Sequence, residues 1–304
     1  MEMEPPVKWI GGGILPDDGF TLMYGPGGVG KSMVAVAICD MLAQEGYPPL
    51  VLDFEGRRNE WVQRIMGLAA RNAGRIFYIG RDKLPDDILY ARDRIAASVE
   101  KRAARAVVID SYFFAAPPSR SKADPEREQA IRFAKIISDI GVPTLVLSHV
   151  SKRELANPKT PYGSVFIMNS ARAGWSASAA SDPGEPLAVA LRHRKVNAGE
   201  YQPERLFQFR FAEKVPIGYE IKETSETRIG AILVVLAEHG GLMSASEIYR
   251  EVMLKFPELP VKADSIRATC YAYCRSTDDG GRGELLERVE TVGGVRFRLS
   301  GKGV

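Results

Sequence analysis

Gly25-Pro26-Gly27-Gly28-Val29-Gly30-Lys31-Ser32 fits the pattern G-x-x-x-x-G-K-[ST], and its flanks are the ones that pattern needs. An apolar run, Phe20 to Tyr24, stops at the glycines, and apolar residues at helical spacing follow from Lys31 to Gln44. A strand that feeds a glycine loop and then a helix makes an anion cradle. The glycines let backbone N–H groups face one oxyanion, and the helix N-terminus adds partial positive charge. Gly25 to Met33 is therefore the candidate nucleotide cradle. Lys31 would reach the β- and γ-phosphates and the Ser32 hydroxyl would ligate Mg²⁺. The expected cofactors are ATP and Mg²⁺.

A loop of this kind constrains the rest of the fold. Strand-like and helical stretches alternate from about Gly19 to Gly141, with strands at Leu50 to Phe54, Arg75 to Ile79, Ala106 to Ile109 and Thr144 to Ser148. Helices are predicted at Glu60 to Arg71, Asp87 to Ala104 and Pro125 to Ile140. Such alternation predicts an α/β fold, a doubly wound, mostly parallel sheet with helices on both faces. From Gly174 to Ile221 the pattern turns to β, with Leu187 to Arg192 and Leu206 to Phe211 clearest, so a C-terminal β extension is expected.

Two carboxylates belong with the cradle. Ala106-Val-Val-Ile-Asp110 is a hydrophobic strand that ends in aspartate, the Walker B pattern, and Asp110 would hold Mg²⁺ through water. Leu50-Val-Leu-Asp-Phe-Glu55 ends the strand after the cradle's helix, and in a doubly wound sheet such ends converge on the ligand. Glu55 is the candidate general base, with Asp53 as second choice.

These residues together resemble the RecA-like P-loop core shared by RecA recombinases, RepA- and DnaB-type helicases and KaiC-like ATPases. The likeness runs from about Pro6 to Glu223. Ser111 stands where many AAA+ and ABC proteins carry their catalytic glutamate, so the resemblance makes Glu55 that residue. Leu145-Val-Leu-Ser-His149 is similar to the strand whose last residue senses the γ-phosphate, and the RepA-like subgroup often pairs such a histidine with a lysine three positions on, as His149 and Lys152 do. Pro117 to Asp124 and Val150 to Tyr162 take the places of the two DNA-binding loops of the family, and Gly163 to Arg172 resembles the helix that closes the second. Lys152, Arg153 and Lys159 are then candidate nucleic-acid contacts. Leu191-Arg-His-Arg194-Lys195-Val-Asn197-Ala-Gly199 resembles the late strand whose cations reach a neighbouring subunit's γ-phosphate. Arg194 and Lys195 alternate in direction along a strand, so one of the two is expected to point at nucleotide.

The resemblance implies a homo-oligomer, a hexameric ring or a filament, that hydrolyses ATP and acts on single-stranded DNA in replication or recombination. A KaiC-like regulatory or assembly ATPase that does not translocate on DNA is the alternative. A small-molecule P-loop kinase is a third reading; no arginine-rich lid segment supports it.

The remainder of the chain changes character. Ile229 to Glu238 has a helical apolar face, Ser244-x-x-Glu247 is a capping box that opens a second helix, and Asp264 to Arg275 reads as a third. Leu285 to Glu290 and Val295 to Leu299 read as strands joined around Gly293-Gly294. Three helices and a hairpin are the winged-helix order, so the expected division is an ATPase core over 1–223 and a small winged-helix domain over 224–304. Arg267, Tyr271, Arg275, Arg288, Arg296 and Arg298 could touch DNA there, but balancing acids make contact with replication or recombination proteins an equal expectation.

Composition narrows the setting. Hydrophobic residues make up 45% and charged residues 26%, which suits a soluble globular chain. No apolar run approaches the ~20 residues of a membrane span. The acidic Met1-Glu2-Met3-Glu4 start is not followed by a signal-peptide core, and the three cysteines form no C-x-x-C pair. A cytoplasmic protein with reduced thiols and no membrane partner is expected.

Overall fold

The apolar run before the glycine loop becomes a strand covered on both faces, as a parallel strand between helical layers must be, and the run after it becomes a helix. The computed structural model describes residues 7–150, 165–181, 184–197, 201–222, 228–257, 259, 261–274 and 285–300. Contacts divide the chain into two compact units, Met1–Pro203 with Phe207–Glu220, and Glu204–Leu206 with Ile221–Val304.

The first unit begins with a short hairpin, β1 (Trp9–Ile10) and β2 (Leu15–Pro16). There follow β3 (Phe20–Gly25), α1 (Lys31–Gln44), β4 (Pro49–Asp53), α2 (Arg58–Leu68), β5 (Phe77–Gly80), α3 (Ile88–Arg102), β6 (Ala106–Asp110), the short α4 (Tyr112–Ala115), α5 (Pro125–Ile140) and β7 (Thr144–His149). Next come α6 (Val165–Ser170), β8 (Ala173–Ala179), β9 (Ala188–Val196), β10 (Arg205–Ala212) and β11 (Val215–Lys222). Nine described strands form one sheet in the order β11-β10-β9-β8-β3-β7-β6-β4-β5. The pairs among β3 to β8 are parallel, and β8 pairs with β9 antiparallel. This is the α/β, RecA-like architecture expected, with the β extension at one edge.

Each helix has a local reason to start or stop. Asp87 caps α3 through Leu89 N and Tyr90 N, and Ala103 ends it in the left-handed region. Asp124 caps α5, Pro125 fills its first position and Gly141 closes it. One face of the sheet is packed by Phe20, Leu22 and Tyr24 of β3 against Ile88 and Ile95 of α3 and Phe133 and Ile137 of α5. The opposite face carries α1, which is buried nearly all round and packs against α2. Its run of Ala, Val, Ile and Cys is what a helix enclosed on all sides requires. Helix α2 starts and ends earlier than the expected 60–71, and beyond its end Asn72 donates to Asp40 Oδ1 at 2.8 Å.

The first hairpin was not anticipated from the sequence. It is fastened to the end of α1 by the Glu45 carboxylate, which accepts from Gly11 N at 2.7 Å and Gly12 N at 2.9 Å. The β10–β11 hairpin is seated against α2, and Gly67 permits the approach: a Cβ there would lie 1.8 Å from the Pro216 carbonyl oxygen. Gly67→Ala is therefore expected to destabilise the unit by about 1–3 kcal/mol, the scale of overpacking. A thermal melt equal to that of the wild type would show that the hairpin does not lie so close.

The second unit holds α7 (Arg228–His239), α8 (Ala245–Lys255), α9 (Ala263–Tyr273) and an antiparallel pair, β12 (Leu286–Thr291) and β13 (Gly294–Leu299). The capping box is formed: Ser244 Oγ accepts from Glu247 N at 3.3 Å, and Glu247 Oε2 accepts from Ser244 N at 2.7 Å. Ile232, Ile248, Ile266 and Phe297 meet in its core. No helix among the described residues is long and apolar enough to cross a membrane.

Candidate nucleotide-binding site

The sheet register sets the site. Gly25 at the end of β3 lies opposite His149 of β7, and Asp53 of β4 lies opposite Asp110 of β6. Parallel strands in this register bring their carboxyl ends to one level, where the glycine loop begins. A cleft of about 520 Å³ opens there, within the size range of small-molecule sites. Gly27, Gly28, Gly30, Lys31, Ser32 and Met33 form one wall. Gly25, Pro26 and Val29 complete the loop without lining the cleft. The first two supply carbonyls that accept from Lys31 Nζ at 2.8 Å each, and Val29 is buried.

Lys31 is buried, and burial lowers its pKa to about 8 against the pull of Asp110 and Glu55. Its Nζ also lies 3.4 Å from His149 Nδ1. Asp110 accepts at Oδ2 from the Ser32 hydroxyl at 3.0 Å and from Trp61 Nε1 at 3.1 Å. Burial, then the charge of Glu55, pushes Asp110 up to about 6. A carboxylate held in the interior mainly by neutral donors gains from a cation. Among the described residues no three His, Cys, Asp or Glu converge as a metal cage. The donors present, one hydroxyl and one carboxylate, fit a hard ion that completes its shell with water and phosphate oxygens.

Glu55 stands just beyond β4, drawn across to β6 by its backbone: Phe54 N and Glu55 N both donate to Asp110 O, at 2.6 and 3.2 Å. Its Oε1 accepts from Ser111 Oγ at 2.9 Å and faces His149 Nε2 at 3.0 Å, while Oε2 lies 3.3 Å from Arg57 Nε. The hydrogen bond from His149 depresses its pKa; the Ser111 bond and the Arg57 charge add to this and outweigh burial. Glu55 is thus an ionised carboxylate in the cleft, able to accept a proton. Asp53 is differently placed. It is fully buried and accepts from Tyr78 OH at 2.6 Å and Gly56 N at 2.9 Å, so its oxygens hold the turn together.

The basic strand is arranged in a way its alternation did not suggest. Trp175 pairs with His193 but Gly174 with Lys195, so a bulge falls at Arg194. Arg194 Nε donates to Ser176 Oγ at 2.9 Å. Lys195 Nζ donates to the carbonyls of Met168, Asn169 and Ala171, at the end of α6. A lysine suits that place, since the last carbonyls of a helix carry partial negative charge. Neither residue lines the cleft. Lys152, Arg153 and Lys159 lie outside the described residues.

Several residues of the site escaped sequence reading. Trp61 and Arg57 look like ordinary helix-surface residues, and Ser111 drew notice only for not being glutamate. Leu187, Phe211, Lys214 and Pro216 form a wall supplied by the β extension. Only the alternation of β10 hints at such a wall, and it does not say what the strand faces.

Residues 2–154, half of the chain, match the family model described as AAA domain. No curated protein matches the chain. Among solved structures, a KaiC-like protein from the hyperthermophilic archaeon Pyrococcus horikoshii OT3 aligns with a TM-score of 0.52 and 18% identity, over 71% of this chain and all of that one. A second solved structure, an ATPase domain, aligns with a TM-score of 0.52 and 15% identity, over 66% of this chain and 85% of that one. At such identities the likeness is one of fold. With the family match and the loop geometry, it makes this chain a member of the AAA domain family, a P-loop NTPase built on a RecA-like core.

Proposed function

We propose that the chain is an oligomeric Mg-ATP-hydrolysing motor of the RepA-like kind that acts on DNA, with a core over 1–223 and a winged-helix domain over 224–304. The observation that carries the hydrolytic part is the ionised Glu55 carboxylate, held by His149 and Ser111 beside the Ser32–Asp110 pair. In this reading Lys31 binds the γ-phosphate and Glu55 takes the proton of the attacking water. Mg²⁺ on Ser32 and Asp110 would neutralise charge on the phosphate oxygens. His149 touches both Lys31 and Glu55, so it can report phosphate at the first to the second.

The DNA role rests on the family resemblance and the candidate contacts Lys152, Arg153 and Lys159. In the second unit Arg298 is paired with Glu287, Arg288 with Glu290 and Arg296 with Glu247. Exposed pairs of this kind can exchange for phosphate, so DNA and replication or recombination proteins stand as equal expectations for this domain.

Hydrolysis measured with and without single-stranded DNA, together with sizing in the presence of ATP, tests the proposal. The expected results are stimulation by DNA and a specific activity that rises with protein concentration until assembly saturates. Turnover indifferent to DNA in an assembled protein would favour a KaiC-like regulatory or assembly ATPase. A specific activity that stays flat down to demonstrated monomer would remove Arg194 and Lys195 from any role across an interface.

A further inference from the structure

The late-strand cations, the usual source of charge for the transferred phosphate in the resembling families, are engaged within this chain by Ser176 and the end of α6. The cleft itself contains another arginine. Gly56 turns the chain with φ 82°, and its N–H is fixed on the buried Asp53 carboxylate. The turn directs both Glu55 and Arg57 into the cleft. Their environments differ: 14% of the Glu55 side chain is exposed, against 58% of Arg57.

Arg57 reaches two carboxylates, Glu55 Oε2 through Nε at 3.3 Å and Glu60 Oε1 through Nη1 at 3.1 Å. Glu60 is held from its other oxygen by Arg64 at 2.6 Å. The result is a ladder of alternating charge along the α2 wall that ends on the candidate base. Arg57 also lies within the field of Asp110, the carboxylate bonded to Ser32. Arg57 is itself more than half exposed, so solvent screens its pairing with both carboxylates. That pairing is therefore free to change when a stronger anion arrives. A guanidinium offers phosphate the same N–H donors it offers carboxylates, so the Nε and Nη1 contacts to Glu55 and Glu60 can pass to phosphate oxygens.

We propose that Arg57 is a catalytic cation acting within its own chain: it pairs with Glu55 through Oε2 and passes to the γ-phosphate when ATP binds. The inference rests on the ATP-hydrolysis reading above. Moving the guanidinium releases Glu55 Oε2 towards the attacking water. In the reaction the water oxygen bonds to the γ-phosphorus. The bond from that phosphorus to the β–γ bridging oxygen breaks, its electron pair leaves on ADP, and the water's proton passes to Glu55. Arg57 forms no covalent bond. It offsets charge on the equatorial oxygens of the transferred group.

The test compares wild type, Arg57→Ala and Arg57→Gln for equilibrium ATP binding and for kcat, and then mixes Arg57→Ala with Lys31→Ala chains. The glutamine variant keeps a polar stem should alanine disturb the turn. Expected are near-normal binding, a kcat lowered roughly tenfold or more, and a mixture no more active than the sum of its parts; arginine fingers contribute about 10³–10⁵ where they act alone. An unchanged kcat, a defect confined to binding, or activity restored on mixing would each overturn the inference, the last because it places Arg57 across a subunit boundary. A wild-type protein that hydrolyses no ATP would instead sink the proposed function itself, so the two failures are distinguishable.

Discussion

Lys31→Ala is expected to abolish ATP hydrolysis and leave the fold intact. Lys31 Nζ is the cation at the mouth of the loop, held in place by the Gly25 and Pro26 carbonyls and by His149. Burial weakens its hold on the proton, which is the state from which a phosphate gains most: an anion beside a partly desolvated ammonium restores the charge that burial opposes. Removal of one such charge-stabilising group costs at least roughly 10²–10³-fold in turnover. The truncation takes a donor from the buried Gly25 carbonyl and the half-buried Pro26 carbonyl, a cost of about 1–3 kcal/mol, so the melting temperature should fall modestly while the fold persists. A folded Lys31→Ala protein that turns over ATP near the wild-type rate would remove the basis for every role assigned at the cleft.

Glu55→Gln should retain ATP binding and slow hydrolysis at least tenfold, a positioned base being worth about 10²–10⁴-fold. The amide keeps the size of the carboxylate and an oxygen for Ser111 and His149, but it cannot take up the water's proton. The phenotype is therefore expected in kcat and not in affinity. Asp53→Asn provides the contrast. Both Asp53 oxygens accept hydrogen bonds, from Tyr78 OH and Gly56 N, and an amide would turn N–H groups towards one of these donors. That variant should melt at a lower temperature and show a mixed defect. If Asp53→Asn instead abolished turnover cleanly and Glu55→Gln did not, Asp53 would be the base.

What the sequence by itself determined is whatever is contiguous. The cradle was legible because its chemistry lies in consecutive residues whose flanking periods, apolar run and helical spacing, fix a strand, a turn and a helix. Asp110 and Glu55 were legible for a related reason, since each ends an apolar run and strand ends in such sheets gather at one edge. The capping box at Ser244 and Glu247 was local in the same sense.

Only the tertiary structure decided how distant residues share atoms. Trp61 reaches Asp110 across 49 positions and His149 meets Glu55 across 94, and no period in the chain encodes either meeting. Tyr78 closes over the Asp53 carboxylate while Glu55 lines the cleft, a difference that no contiguous stretch of the sequence encodes. The bulge opposite Gly174 and Trp175 shifted the strand that carries Arg194 and Lys195, and a one-residue shift reverses which way a strand side chain points. Lys195 could be assigned to the end of α6 only once the sheet had brought that helix beneath it. Chain-local chemistry is fixed by bond geometry and side-chain periodicity, whereas the partners of a charge are fixed by packing among elements remote in sequence.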